Sequence, residues 1–318
     1  MARRLTGRPL EPGPVNGGAK SRAAAVSIAS NCTLVVLKLT AGVVTGSVAI
    51  LTDAVHSGID LLASVVAYVS VRKADAPADE SHLYGHHKLE NLAAAIEGVL
   101  ILVGSGVIVF EATRRLAQGA HVGPLWFGIA VIATSLVVNV VVSGYVGRQA
   151  RAHDSPALEG DATHLRADAA TSLGVLVALV LVELTGAVWL DPTAALVVAV
   201  AIVAAGVRIL TRSSRVLVDE ALPAEELDAV RAVVRAFGPQ GVVGFHALRA
   251  RRAGAHRHID MNVQFRAGTT LEDAHATAHE LKDSIGERIG NADVLIHLEP
   301  ADKVRPGTEV PNSGGVEG

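Results

Sequence analysis

The hydrophobic positions form long runs up to about residue 211 and shorter, mixed patterns after it. A helix needs about 20 mostly apolar residues to cross a bilayer. Six segments meet this need and predict six transmembrane helices, at approximately 22–45, 47–71, 89–113, 123–147, 157–185 and 188–211. Residues 1–21 have no apolar core, so we predict a flexible N-terminal tail rather than a signal peptide.

The pattern after the last span predicts a small soluble domain. A linker is expected at 212–223, and residues 224–301 have the order α-β-β-α-β. One sheet with helices on one face gives a C-terminal α+β domain. Residues 302–318 are rich in Gly, Pro and polar residues and are predicted to be disordered. The predicted elements are helix 225–238, strands 242–251 and 257–265, helix 271–289 and strand 293–298.

Basic residues predict the orientation in the membrane, because Lys and Arg collect in cytosolic loops. They occur in the N-terminal tail, in the 72–88 and 148–156 loops and directly after the sixth span. Arg114 and Arg115 fall on the opposite side and are the exception. An even number of spans places both termini on one side, which we predict to be cytosolic.

Composition narrows the chemistry that is available. The chain has 318 residues, 50% of them hydrophobic, and a net charge of −3, so no basic field favours nucleic acid as a partner. A single cysteine, Cys32, excludes an internal disulfide and a cage of several thiolates. The 13 histidines leave imidazole and carboxylate as the ligands for any metal.

A repeated motif in the second and fifth spans is the main candidate for chemistry. Both spans read Asp-Ala-x-His-x-x-x-Asp, a spacing that places all three polar side chains on one helix face. An ionised side chain near the bilayer centre costs about 2.5–3.5 kcal/mol on insertion scales, so these stripes need a compensating partner. The six residues are Asp53, His56, Asp60, Asp161, His164 and Asp168.

Two histidines and two aspartates converging from two helices would form a four-coordinate site. We predict His56, Asp60, His164 and Asp168 as its ligands, a set that suits tetrahedral Zn²⁺. Cobalt, manganese or ferrous iron use similar donors. The alternative is that these residues only form hydrogen bonds between helices. Two copies with identical spacing favour the metal site.

The two stripes should run in opposite directions, since they lie in the second and fifth of six spans. Inverted repeats around a site at the membrane midplane are typical of transporters. Asp53 and Asp161 would then flank the site as approach and exit carboxylates. For the other membrane carboxylates, Glu97, Glu111 and Glu183, we favour a structural role.

Two further clusters are weaker candidates. In the loop after the second span, Asp79, His82 and His86 have spacings of three and four and form a plausible site, although a solvated surface is the alternative. In the soluble domain, the strands and the second helix could bring His246, His275 and His297 together, with Glu299 on the strand face of His297. His256, His258 and His279 are predicted to be ordinary surface histidines.

Over about residues 20–300 these motifs resemble the cation diffusion facilitator family. The most specific parts are the paired His-x-x-x-Asp motifs and the His82-x-Tyr-Gly-His86-His-Lys-x-Glu90 loop. Leu217–Pro223, Phe245–Arg249 and Leu295–Pro300 are similar as well.

The resemblance implies a homodimer of six-span subunits that exports divalent metal, zinc foremost, from the cytosol in exchange for protons. It implies an integral protein of the cell inner or plasma membrane. It implies the transport site and loop site named above, and a ferredoxin-like or metallochaperone-like cytosolic domain for metal binding and dimerisation. The ligands implied there are His246, His275, His297 and Glu299.

Two details of the resemblance concern single positions. Asn262 stands where related chains often have His, which puts full occupancy of the cytosolic cluster in doubt. Lys88 and Asp219 match positions that can pair near the membrane exit of a dimer.

Other functions are less well supported. A non-transporting metal sensor or scaffold on the same fold is the main alternative, and four intramembrane ligands disfavour it. The sequence has no His-Glu-x-x-His motif, and four protein ligands leave no open position of the kind that catalytic zinc keeps, so an enzyme is not expected. The absence of a G-x-x-x-x-G-K-[ST] sequence disfavours an ATP-driven pump.

Overall fold

The computed structural model describes residues 17–45, 48–118, 125–187, 189–302 and 308–309. The chain divides into two compact units, Met1–Leu217 and Val218–Gly318. Most of the predicted N-terminal tail and residues 310–318 lie outside the described residues.

The first unit consists of six long helices, as the hydrophobic runs predicted. The shortest has 27 residues, which at 1.5 Å per residue is about 40 Å and exceeds the hydrocarbon thickness of a bilayer. The helices are α1 (Gly17–Thr45), α2 (Val48–Ala74), α3 (Lys88–Gln118), α4 (Leu125–Ala152), α5 (Pro156–Thr185) and α6 (Leu190–Leu217).

Within the described residues, four of the helices contain a segment long and apolar enough to cross a membrane by length and composition alone. These segments are Gly18–Ala41, Lys88–Arg114, Ile129–Ala152 and Pro192–Leu217, in α1, α3, α4 and α6. The other two helices, α2 and α5, carry the Asp-His-Asp stripes.

The helix ends depart from the predicted boundaries because ion pairs hold polar turns that hydropathy does not detect. Helix α1 begins at Gly17, inside the predicted tail, and buried Lys20 bonds Asp75 and Glu90. Helix α6 continues to Leu217 through part of the predicted 212–223 linker. Arg212 Nη1 lies 2.6 Å from a carboxylate oxygen of Glu159 in α5.

The α3–α6 contact depends on a glycine. A Cβ built on Gly98 of α3 would lie 3.0 Å from the backbone nitrogen of Leu210 and 3.2 Å from its Cα. Small residues at such positions let helix backbones approach in a membrane, where close van der Waals packing replaces the hydrophobic effect.

The second unit has the predicted α-β-β-α-β order. Its elements are α7 (Ala224–Ala236), β1 (Val242–Ala253), β2 (His256–Phe265), α8 (Leu271–Ile289) and β3 (Ala292–Pro300). The sheet order is β1-β2-β3. Strand β2 is antiparallel to β1 and parallel to β3. Helix α7 packs on β1, α8 on β3, and the helices on each other, so both lie on one face. The core includes Val230, Val234, Phe245, Ile259 and Leu281.

One residue of the segment predicted to be disordered, Glu309, pairs with β1. Glu309 exchanges both backbone hydrogen bonds with Phe245 of β1, at 3.0 and 2.8 Å. Its carboxylate accepts hydrogen bonds from Arg231 and Arg235 of α7. Charge pairing therefore orders a residue whose surroundings in the sequence are those of a flexible tail.

We expect Gly98→Val to lower the stability of the membrane unit by about 1–3 kcal/mol, because the added methyl groups overlap the backbone of α6. Thermal unfolding in detergent measures this. Gly104→Val in the same helix is the matched control, since a Cβ there meets nothing within 4 Å. Equal melting temperatures for the two variants would contradict the close-packed contact.

Candidate metal centre

Helices α2 and α5 bring three candidate ligands together. Nε2 of His164 lies 3.1 Å from Oδ1 of Asp60 and 3.8 Å from Oδ2 of Asp168. Asp60 and His164 are buried, and Asp168 is partly buried. One ligand atom from each residue lies within 4.8 Å of the others. Residues more than a hundred positions apart in sequence thus converge at one point.

The spacing of these atoms suits a small dication. Two ligands at zinc bond lengths of about 2.0–2.1 Å stand about 3.3 Å apart in a tetrahedron. The two distances from His164 Nε2 lie on either side of that value. Without a cation, one buried and one partly buried carboxylate beside a single imidazole would carry excess negative charge, which is costly away from water.

The fourth predicted ligand lies outside what the structure describes. His56 belongs to α2, four residues before Asp60, so the two positions share a helix face. The side chains of His56 and Asp53 are not among the described ones. Both assignments stay predictions.

Asp161 lies one turn before His164 and belongs to a buried polar network. Its Oδ1 accepts hydrogen bonds from Ser27 of α1 and Ser64 of α2, each at 3.0 Å. Asn31 donates to Ser64 at 2.7 Å. The other oxygen, Oδ2, has no hydrogen-bond partner among the described residues. Asp161 therefore links three helices while one of its carboxylate oxygens remains available.

Glu97 of α3 is buried, and its carboxylate accepts no hydrogen bond from the described residues. It is fully inaccessible to solvent, and within the described part of the chain neither carboxylate oxygen has a hydrogen-bond partner. A Cβ on Gly160 would lie 2.3 Å from Glu97 Oε2, so the carboxyl group rests against the α5 backbone next to Asp161. The structural role favoured from sequence is not accompanied by a visible partner.

Two other acidic residues of the spans are less informative. Glu111 lies 3.5 Å from Arg114 in an exposed pair near the end of α3. The side chain of Glu183 falls outside the described set.

Sequence reasoning missed Lys38. This buried lysine of α1 donates a hydrogen bond of 2.8 Å to Ser57 of α2, the residue after His56. A lysine inside an apolar span was the available signal, because such charges are rare and usually functional.

An ionic cluster around buried Lys20 and Glu90 joins several helix ends of the helical unit. Lys20 donates to Asp75 and, at 2.9 Å, to Glu90, and Ser155 donates to the other oxygen of Glu90. The cluster joins the start of α1, the turn after α2, the start of α3 and the turn before α5. The loop motif singled out Glu90, but it did not predict the partners Lys20 and Ser155, which are distant in sequence.

The loop after α2 forms a second group of three ligands. Asp79 Oδ1 lies 3.3 Å from His82 Nδ1, and Asp79 Oδ2 lies 3.3 Å from His86 Nε2. The imidazole rings have centroids 4.5 Å apart. Asp79 and His82 are exposed, whereas His86 is largely covered. The arrangement fits a solvent-facing site for an ion.

Local hydrogen bonds favour the ionised form of Asp79. Hydrogen bonds lower the pKa of the Asp79 carboxyl to about 2 from an ordinary 3.8. The Ser81 hydroxyl contributes most and the His82 backbone N–H contributes next. The Ser81 N–H donates to the same oxygen. A carboxylate that is charged at any neutral or mildly acidic pH is prepared to bind a cation.

The predicted cytosolic cluster is only partly assembled. Nε2 of His246 lies 2.8 Å from Glu299 Oε2, both buried, and a bulge in β1 follows His246, where Ala247 has φ 54°. Asn262 donates to the other Glu299 oxygen at 3.0 Å. His297 Nε2 lies 3.8 Å from that oxygen, with its side chain 69% exposed.

His275 contacts His279, which was predicted to be an ordinary surface histidine. Its Nε2 lies 3.1 Å from Nε2 of His279, one turn further along α8. Among the described residues, the groups of three or more ligands within 4.8 Å are the α2–α5 group and the loop group. The quartet predicted for the soluble unit is not one of them and stays a prediction.

The proposed Lys88–Asp219 pair involves residues of different units. Lys88 donates to the carbonyl oxygen of Leu217 at 3.3 Å. Asp219, with φ 61°, accepts a hydrogen bond from Arg251 at 2.9 Å. Their mutual pairing stays a prediction.

Comparison with known proteins agrees with this architecture. Residues 24–218 match the cation efflux transmembrane domain and residues 222–301 match the cytoplasmic domain of cation efflux proteins. A transporter of Synechocystis, sll1263, is 34% identical over 87% of this chain and 89% of its own. The cation-efflux pump FieF of Shewanella oneidensis is 30% identical over 90% of this chain and 96% of its own.

Solved structures are similar to about a quarter of this chain. The metal-bound C-terminal domain of the CzcD transporter from Thermotoga maritima is 28% identical over 26% of this chain and all of its own, with a TM-score of 0.24. With the transmembrane match spanning more than half of the chain, the protein is an integral membrane transporter rather than an enzyme, and it belongs to the cation diffusion facilitator family of metal efflux proteins.

Proposed function

We propose that the protein exchanges Zn²⁺ for protons at a site formed by His56, Asp60, His164 and Asp168. The observation that carries the proposal is the convergence of Asp60 with His164 and Asp168 from two different helices. Two carboxylates and imidazole donors suit zinc and, less specifically, cobalt, manganese or ferrous iron.

Proton coupling follows from the same ligands. Zinc binds neutral imidazole and ionised carboxylate, so protons and metal compete for each group. At the more acidic face of the membrane, protonation releases the ion, and at the other face the ion displaces protons. The pH gradient would then drive export without ATP.

The orientation and assembly belong to the proposal as well. The distribution of Arg and Lys supports cytosolic termini in the cell inner or plasma membrane. The match of residues 222–301 to the family's cytoplasmic domain supports a homodimer. The loop group would bind metal on the cytosolic side, and Asp53 and Asp161 would flank the transport site as approach and exit carboxylates.

A metal sensor without transport is the second candidate. It would use the loop group and the His246–Glu299 pair, which could bind metal without moving the ion across the membrane. The buried Asp60–His164 pair favours transport, because charged groups kept in a membrane interior usually mark an ion pathway.

Flux measurements in proteoliposomes decide between the two candidates. We expect zinc influx to collapse an imposed pH gradient, and Asp60→Asn to abolish both movements because it removes an ionised ligand at nearly constant volume. Asp228→Asn, at a surface carboxylate of α7 that is 71% exposed, is the control. Equal flux in both variants would exclude the α2–α5 site, and a panel of cobalt, manganese and ferrous iron would rank the metals.

The Asp161 network predicts a coupling in stability. Replacing Ser27 and Ser64 together by Ala is expected to destabilise the protein by about 1–3 kcal/mol, because it deprives a buried acceptor of its donors. In an Asp161→Ala background the same replacement should cost much less. A double-mutant cycle on melting temperatures in detergent measures the difference. Additive effects would show that the serines act independently of Asp161.

For the loop group, Asp79→Asn is expected to reduce the zinc bound per chain at a fixed micromolar concentration. The variant keeps the side-chain size but removes the charge between His82 and His86. Equilibrium dialysis of Asp60→Asn protein, in which the transport site is disabled, reports this loss. Glu80→Gln, at the exposed neighbouring position, should bind as the parent does. A similar loss in both variants would argue against a specific site.

A further inference from the structure

Helix α8 carries two exposed histidines one turn apart. The Nε2 atoms of His275 and His279 lie 3.1 Å from each other, with ring centroids 4.5 Å apart and the planes at 80°. Both residues are exposed. Side chains four residues apart lie on the same face of a helix, so the backbone itself brings these nitrogens together.

The distance between the nitrogens matches that of two imidazoles on one metal ion. With metal–nitrogen bonds of about 2.0–2.1 Å, two ligands are about 2.9 Å apart at a right angle and about 3.3 Å apart at the tetrahedral angle. The observed 3.1 Å lies between them. An ion would need little movement of either ring.

The helix holds the pair on a rigid base. Thr270 caps α8 by accepting a hydrogen bond from the Asp273 N–H. The adjacent face, with Ala274, Ala278 and Leu281, is buried in the unit. Since the helix cannot turn without exposing this face, the histidines stay directed outward.

Carboxylates continue the histidine stripe in both directions. Glu272 precedes His275 by three residues and Asp283 follows His279 by four, and both are exposed. Positions at these spacings share the face of the histidines. They provide negative charge and further oxygen ligands for a cation held between the rings.

This pair differs from the buried His246–Glu299 pair. There, both carboxylate oxygens of Glu299 already bond protein groups, His246 and Asn262. The α8 histidines face solvent and bond each other.

We propose that His275 and His279 form a separate metal site on α8, which binds one divalent transition ion through both Nε2 atoms. Its chemistry selects ions that prefer imidazole, such as Zn²⁺, Ni²⁺ and Cu²⁺, over Mg²⁺ and Ca²⁺, which prefer oxygen. The site does not depend on the transport function, because it lies outside the membrane helices and uses none of their residues.

Metal-dependent protection of single histidines tests the site. Full-length protein in detergent is treated with diethyl pyrocarbonate at increasing Zn²⁺, and peptide mass spectrometry follows each histidine of α8. We expect His275 and His279 to react freely without metal and to be protected together at one zinc concentration. Ca²⁺ should protect neither. The readout involves no flux, so its outcome is independent of whether the protein transports zinc.

The matched control keeps the composition and changes only the spacing. The double variant His279→Glu with Glu280→His places the second histidine five residues from the first, on a different face of the helix. Zinc protection of His275 should then need at least about tenfold more metal, since loss of even a supporting group costs about 10–100-fold in affinity. His279→Ala should have the same effect on His275.

Three outcomes would overturn the proposal. The first is equal protection of His275 in the parent and the shifted variant. The second is protection of His275 together with His297 while His279 stays reactive, which would place His275 in the strand cluster. The third is a lack of reaction at both positions in metal-free protein, since the proposed site requires access from solvent.

Discussion

The cost of leaving charge uncompensated in an apolar interior governs this structure. A carboxylate removed from water needs a cation, a donor or a proton, and every buried acid described for the helical unit either has such a partner or lies beside the candidate centre. Asp60 has His164, Glu90 has Lys20 and Ser155, and Asp161 has two serines. These bonds join helices that are far apart in sequence. The same interactions therefore pack the helices and position the candidate ligands.

Transport chemistry needs such groups to be only partly satisfied. A fully bonded carboxylate has no reason to bind an ion, and an unbonded one is difficult to bury. Asp161 lies between these limits, with one oxygen bonded and the other without a partner among the described residues. In the proposed transport site, the Asp60–His164 contact would give way to metal bonds, because the imidazole Nε2 and the carboxylate oxygens are ligands in their own right.

Periodicity predicted the parts of the molecule that depend on local sequence. Six apolar runs predicted six helices, and the spacing of Asp60, His164 and Asp168 placed each on a helix face. That these faces meet could be predicted only because the motif occurs twice with the same spacing. The ends of α1 and α6 were missed because Lys20 and Arg212 bond to residues distant in sequence, which hydropathy does not report. Glu309 and the serines around Asp161 were missed for the same reason, whereas Lys38 could have been found as a lysine inside an apolar span. The His275–His279 contact was within reach, since a four-residue spacing on a helix implies it.

The absence of a side chain at Gly160 links two positions on different helices. Even one methyl group there would occupy the place of the Glu97 carboxyl group. Mutational drift at the two sites is thus not independent. Alanine at 160 would force the Glu97 carboxyl group to shift, so a descendant that retains the acid is expected to favour glycine there, whereas one that shortens residue 97 loses this contact. Paired change at these positions would be an evolutionary trace of the buried acid.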